Sequence, residues 1–381
     1  MYFIKYKSQI LLIFLTLIAT LSLWLTFYYQ LPQKIGWPAV SLETVFANYD
    51  GPNYLAISKC GYDKNCLGPN FSLSQPLEYY PAHFPGYPML IRFFSNFTTG
   101  PKAMLLVTLL GSILLTLTSY ALFKSFWLSF FLLFFPPRLF ILRAVGAPET
   151  WFMALTLWSI LFFKRRKFFI SAILASLSLL FKTPGVLLGV TYLIILLKEL
   201  VEMRSCAFLH NKILPANKQI KNYLPYLLMP LVLLGIFFYY RGQTGDFWAY
   251  FHSGDNFHLN PLPYLVFIST KSWVDTIWLE DIIYIYFLAI LTVQKLWRQF
   301  KFDILTIYPA VFTMATLFVA HRDISRYLAP VYPFVLYAFK DKLENKSFRF
   351  ILWILLPAVF LYAVNFITGN TAPIADWAPY L

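Results

Sequence analysis

Residues able to do chemistry stand out in this sequence because nearly everything around them is apolar. Asp50 follows Tyr49 and precedes Gly51-Pro52-Asn53-Tyr54. A carboxylate there is either the cap of a short helix over Tyr54–Ile57 or a general base held at a surface. Glu149 opens an apolar run shortly after Arg143; it either complements a helix dipole or binds a substrate hydroxyl or a metal. Lys182 ends another run before Thr183-Pro184-Gly185, where it snorkels to an interface or faces a phosphate. Asp246 follows a glycine-rich turn, again as a cap or as a site residue. Densest is His321-Arg322-Asp323-Ile324-Ser325-Arg326-Tyr327, with apolar runs on both sides. Arginine's planar donor fork matches phosphate oxygens, so this cluster reads more readily as an anion site than as a solvated loop.

The elements that must position these groups follow from composition. Of 381 residues, 59% are hydrophobic and 13% charged, with a mean hydropathy of +0.62. A soluble domain carries roughly 25% charged residues, so a water-surfaced globule is excluded. The net charge of +14 does not indicate nucleic acid. The basic residues stand in short blocks between apolar runs, as orientation signals and contacts to anionic lipid do. An aromatic content of 20% suits lipid-facing helices and interfacial belts. No Cys/His zinc spacing, phosphate-binding glycine loop or dinucleotide fingerprint occurs.

At ~20 apolar residues per crossing, the chain reads as an all-α integral membrane protein, one polytopic bundle of about eleven spans over 1–381. The first run, 10–29, is read as an uncleaved span. Further spans are expected near 102–123, 126–137, 149–163, 168–182, 184–198, 223–240, 273–294, 302–320, 327–339 and 349–367. Runs ending at Pro136-Pro137 and at Lys182-Thr183-Pro184 look like helices that stop inside the protein, where irregular backbone needs a cavity or protein around it. Alternation from a cytoplasmic N-terminus puts Lys5/Lys7, Lys124, Lys164-Arg165-Arg166-Lys167, the basic loop 199–222, Lys295/Arg298/Lys301 and Lys340–Arg349 inside, as the positive-inside rule requires. The long loop 30–101 and the loop 241–272 then lie outside. So do Asp50, Glu149, Lys182, Asp246 and the His321–Tyr327 cluster, with Glu280-Asp281 near the outer half of its span. Cys60 and Cys66 are near enough to pair in an oxidising compartment or to remain thiols; Cys206 falls on the inner side.

In this order and on this side, the motifs resemble those of the C-class glycosyltransferases (GT-C), polytopic enzymes that use polyprenyl-phosphate-linked sugars. The likeness is nearest to the GPI mannosyltransferase 2 branch and its prokaryotic relatives. It rests on Tyr49-Asp50, Tyr54-Leu55-Ala56-Ile57, Gly61-Tyr62, His83-Phe84-Pro85-Gly86-Tyr87-Pro88, Ala147-Pro148-Glu149, Lys182-Thr183-Pro184-Gly185 and Arg326-Tyr327-Leu328-Ala329-Pro330. Tyr49, Pro148 and Lys182 depart from the branch's Trp, Ser and Arg. The resemblance implies that Asp50 deprotonates an acceptor hydroxyl, which attacks the anomeric carbon as the lipid phosphate leaves. Arg326, Arg322 and Lys182 are then the cations aimed at that phosphate. Tyr49, Tyr54, His83, Arg143, Glu149, Asp246, His321 and Tyr327 are the expected substrate contacts. The partners implied are the donor, a lipid, glycan or protein acceptor, and membrane lipid, without nucleic acid. Some superfamily members use a divalent metal, for which Asp50 and Glu149 could supply ligands. A hard cation wants more oxygens than can be assigned, so no cofactor is predicted. A transporter or flippase of lipid-linked sugars is the alternative; it should show paired repeats and broken helices at the midplane.

Overall fold

In hydrocarbon every backbone N–H and C=O must be satisfied within the chain, and a helix does this segment by segment. The apolar runs obey. A computed structural model describes residues 6–72, 75–210, 216–254, 259–372 and 374–381, with 203–210 and 216–219 described as backbone. Its helices include α1 Lys7–Tyr28, α2 Gly51–Cys60, α3 Gly86–Phe94, α4 Gly100–Phe123, α5 Phe126–Phe131, α6 Pro137–Leu142, α7 Glu149–Lys164 and α8 Phe168–Phe181. They continue with α9 Gly185–His210, α10 Ala216–Tyr223, α11 Leu228–Thr244, α12 Thr276–Phe300, α13 Ile304–Thr316, α14 Ile324–Tyr327, α15 Tyr332–Ala338 and α16 Lys346–Gly369. Extended pairing among the described residues is confined to two isolated bridges, Asn48–Thr371 and Leu259–Val319.

Five helical segments are long and apolar enough to cross a membrane: Lys7–Tyr28, Gly100–Phe123, Ile220–Thr244, Thr276–Phe300 and Lys346–Gly369. The architecture is that of a helical membrane protein. Two expectations change in detail. The run near 126–137 is not one helix: α5 stops at Phe131 and α6 starts at Pro137, because Pro136-Pro137 removes two N–H donors and constrains the residue before each. The segment 199–222, expected as a loop, is helical through His210 and again from Ala216; the side chain of Cys206 lies outside the described ones.

Small and hydroxylated residues let the helices approach, as they do where lipid offers no hydrophobic gradient between helices. Ser159 of α7 and Ser171 of α8 share the Tyr192 hydroxyl, at 2.6 and 3.2 Å, and Tyr226 donates to Ser171 Oγ at 2.7 Å. A Cβ on Gly111 of α4 would lie 2.5 Å from Thr150 Oγ1, so α4 and α7 touch through a glycine. At one end of the bundle Lys164, closing α7, pairs with Asp303 before α13 at 3.0 Å. At the other end α2 and the 143–148 connection meet: a Cβ on Gly146 would sit 3.0 Å from Gly51 Cα.

Gly51 is tighter still, because a Cβ there would lie 2.4 Å from the Phe46 carbonyl oxygen, which is backbone and cannot swing away. Gly51→Ala is expected to destabilise the fold by about 1–3 kcal/mol. Gly235→Ala in α11, where nothing lies within 4 Å, should be neutral or gain up to ~1 kcal/mol from helix propensity. Thermal unfolding in detergent separates the two; equal midpoints would remove the close approach at Gly51.

Candidate functional site

Asp50 occupies the N-cap position of α2 but its side chain makes no capping hydrogen bond. The carboxylate turns away from the helix, and the cause is the residue before it. Tyr49 has φ +51°, a left-handed conformation that costs a non-glycine residue of order 1–3 kcal/mol. The position is held by its surroundings. Asn48 donates to the Ile367 carbonyl at 2.8 Å, and Ala372 N–H donates to the Ala47 carbonyl at 2.8 Å. The end of α16 therefore clamps the turn. So placed, the Tyr49 ring lies 4.4 Å beneath the Arg326 guanidinium, a cation–π geometry, and its hydroxyl donates to Asp323 Oδ2 at 3.1 Å.

Four other chain segments meet that of Asp50 in one cluster, bringing His83, Glu149, Lys182 and Arg326. Arg326 Nη2 donates to Asp50 Oδ2 at 3.3 Å, and Arg326 Nε donates to Glu149 Oε1 at 2.6 Å. Lys182 Nζ donates to the same Glu149 oxygen at 2.6 Å. His83 Nε2 stands 3.6 Å from Asp50 Oδ1, an electrostatic approach longer than a hydrogen bond. Glu149 is 1% exposed while Lys182 and Asp50 keep 27% and 25%, so the cluster is deep but open on the Asp50–Lys182 side. Glu149 does open α7, and its ion pairs show that it is more than a dipole partner. Lys182 does not snorkel. Burial pushes the Asp50 carboxyl up, but His83 and Arg326 outweigh it and hold the group below the usual carboxylate range. A depressed value means that its charge stabilises the fold above the unfolded carboxylate value, about 3.9, and that this is lost only as pH falls toward the lower folded value. At neutral pH Asp50 is ionised.

A second layer stands behind the first. Asp323 caps α14 by accepting from Arg326 N–H at 3.3 Å, and Arg138 Nε lies 3.0 Å from Asp323 Oδ1. Arg138 also sits 3.9 Å over the Phe366 ring. Sequence reading missed Arg138; the signal was an ionisable residue directly after a proline-broken apolar run, a functional candidate by default at membrane depth.

The remaining expected residues divide. Tyr54 packs edge-on against His83 at 5.0 Å, and His321 accepts from Asp323 N–H at 2.9 Å while its ring contacts Tyr327 at 5.1 Å. These belong to the site or its wall. Three others stand outside it. Arg322 is exposed and its carbonyl accepts from Trp278 Nε1, because the capping turn at Asp323 points Arg326 inward and leaves Arg322 outward. Arg143 is buried against α4, donating to the Ser112 carbonyl at 3.1 Å and Thr116 Oγ1 at 3.2 Å. Asp246 accepts from Trp248 N–H at 2.9 Å and pairs with His252 at 2.6 Å, a local turn. Glu280 and Asp281 are exposed rather than sheltered.

The glycine- and tyrosine-bearing motifs acquire structural reasons. Gly61 has φ +64°, and the Tyr62 hydroxyl donates to the His83 carbonyl, fixing the segment that presents the imidazole. A Cβ on Gly86 would lie 2.8 Å from the Leu180 carbonyl oxygen, so only glycine lets α3 touch α8 two residues before Lys182. Cys60 and Cys66 form a disulfide that closes the turn after α2. Among the described residues no three His, Cys, Asp or Glu side chains are grouped to hold a metal. Asp50 and Glu149 each face Arg326, and Glu149 faces Lys182 as well.

Glu149→Gln leaves Lys182 and Arg326 sharing a neutral partner in a mostly buried place. Loss of about 3 kcal/mol is expected, against little change for the exposed Arg322→Ala; thermal unfolding in detergent measures both, and equal small effects would show that Glu149 does not organise the cluster. No protein-family model matches the chain, and no curated protein matches it.

Proposed function

We propose that this chain is a multi-pass membrane glycosyltransferase of about eleven spans, amino terminus inside and carboxyl terminus outside, with the Asp50 cluster extracytoplasmic. It moves a hexose, in the resembling family mannose, from a polyprenyl-phosphate carrier to an acceptor hydroxyl of a lipid, glycan or protein. The observation that carries this reading is Asp50 itself: a carboxylate in a capping position that does not cap, a quarter exposed, and facing Arg326 across 276 residues of sequence. The Cys60–Cys66 disulfide fits an oxidising, extracytoplasmic compartment. That the motifs of the resemblance meet around one carboxylate supports it further.

The reaction assigned to these residues is a displacement at the anomeric carbon. The acceptor O–H gives its proton to Asp50 as its oxygen bonds to that carbon. The carbon–oxygen bond to the phosphate breaks, and its electron pair leaves on the phosphate. Arg326 and Lys182 meet the growing charge; fixed cations at such a point are worth roughly 3–4 kcal/mol each. Arg326 keeps Nε on Glu149, its shorter contact at 2.6 Å, and gives up the longer one to Asp50 at 3.3 Å. Asp50 is thereby released to accept the proton. Glu149 Oε2 and His83 Nδ1 are buried without a partner among the described residues, and both suit hydroxyls of the sugar or acceptor.

Membranes containing the chain, given labelled polyprenyl-phosphate hexoses, should transfer label to an acceptor. Asp50→Asn is expected to lower the rate ~10²–10⁴-fold, the usual range for a general base. Arg326→Ala should lower it ~10²–10³-fold, whereas Arg322→Ala stays near wild type. Full activity in Asp50→Asn overturns the assignment of the base, and an Arg322→Ala defect matching Arg326→Ala overturns the assignment of the phosphate site.

A further inference from the structure

At the end of the bundle opposite Asp50 lies an open groove of about 410 Å³. It runs between the turn that joins α7 to α8 and the junction after α10. Arg166, Lys167 and Lys221 line it together with Phe169, Ile170 and Pro225. All three cations are exposed, and none forms an ion pair with a described carboxylate. The neighbouring Lys164 differs, because Asp303 holds it at 3.0 Å. Arg166 is set by a turn at φ +60°, with its N–H donating to the Phe163 carbonyl at 2.9 Å. The backbone, not a carboxylate, aims it.

The groove's other wall is apolar and uncovered. Phe169 is 62% and Ile170 40% exposed, and Leu224 beside Pro225 is 58% exposed. Phe169 and Ile170 belong to α8, whose 14 residues rise ~20 Å to Lys182 in the Asp50 cluster. Cations without a carboxylate partner among the described residues, next to exposed hydrocarbon on a membrane helix, match an amphiphile with an anionic head and an acyl tail. A soluble anion would use the cations and leave the apolar wall without purpose.

We infer that this groove is a binding site for an anionic phospholipid, its phosphate among Arg166, Lys167 and Lys221 and an acyl chain along Phe169 and Ile170. The site is independent of the transfer reaction. Its charge is built from two parts of the chain, the α7–α8 turn and the end of α10. An occupied groove therefore ties those parts together through the headgroup, as clusters of juxtamembrane lysine and arginine do with anionic lipid.

The full chain, delipidated in detergent and mixed with phosphatidylglycerol or phosphatidylcholine, is examined by native mass spectrometry. Phosphatidylglycerol should give the tighter first adduct, and Arg166→Ala/Lys167→Ala/Lys221→Ala should weaken that adduct by about tenfold or more. Arg298→Ala/Lys301→Ala, which removes exposed cations at the same end, should leave it unchanged. Lys221→Ala alone should weaken it partially, and size-exclusion and thermal-unfolding profiles matching wild type show that the variants are folded. Equal adducts with the two lipids, an unaffected triple variant, or equal loss in the Arg298/Lys301 control overturns the site. Displacement of the lipid by inorganic phosphate as effective as by phosphatidylglycerol assigns the groove to soluble anions instead and overturns the lipid.

Discussion

One oxygen of Glu149, buried to 1% exposure, serves two cations at 2.6 Å each, and the architecture around it answers to that demand. An ion without compensation in such a place costs several kcal/mol. The cluster balances: Asp50, Glu149 and Asp323 oppose Lys182, Arg326 and Arg138. Glu149 must stay ionised for Lys182 and Arg326 to stay where they are. Those cations enter from the far end of α8 and from α14, so the ends of α7, α8 and α14 cannot drift apart without stranding a charge. This explains why the chain breaks helices here. Lys182 and Arg326 stand at a helix stop and in a four-residue helix, where side chains reach inward without crossing lipid.

The strain at Tyr49 follows from the same constraint. A relaxed turn would leave Asp50 free to cap α2, the common fate of an aspartate in that position. The left-handed tyrosine sends the carboxylate to Arg326 and slides its own ring under the guanidinium. In the proposed reaction the pair then has two states. With His83 and Arg326 both against it, Asp50 is a poor base; once Arg326 turns to a phosphate, one of the two groups that hold its carboxyl low is engaged elsewhere. The donor would thus prepare the base, a logic that requires the long 3.3 Å contact to be the one that yields.

Much of this was legible in the sequence, for identifiable reasons. Helix positions followed from apolar runs because hydrocarbon permits few backbone solutions, and Glu149 and Lys182 stood out because one opens and the other ends an apolar run on the expected outer side. Asp50 was legible as a candidate but not as a choice between cap and base, since both need the same local sequence and only the Tyr49 turn decides. Arg326 ranked ahead of Arg322, yet both were kept at the phosphate, because only the structure shows that Arg322 precedes the Asp323 cap while Arg326 lies within the helix it starts. Arg138 escaped since its partner Asp323 lies 185 positions away (323 minus 138), a pairing no local pattern records. Arg143 looked like a site residue by proximity to Glu149, yet the chain turns between them and buries it on α4.

The same cluster bears on whether the protein transfers or transports. A transporter of lipid-linked sugars needs a site that opens alternately to either side, usually where discontinuous helices meet at the midplane. The chain is discontinuous between α5 and α6. Arg138, just past it, faces Asp323, which also holds Tyr49 and caps the helix of Arg326. The break is therefore tied into the charge network at one end. To rock that half-helix would separate Arg138 from Asp323 and, through Tyr49 and Arg326, disturb Asp50 and Glu149 as well. Charged groups interlocked across this many elements favour a fixed constellation. A fixed constellation suits a transition state better than a gate.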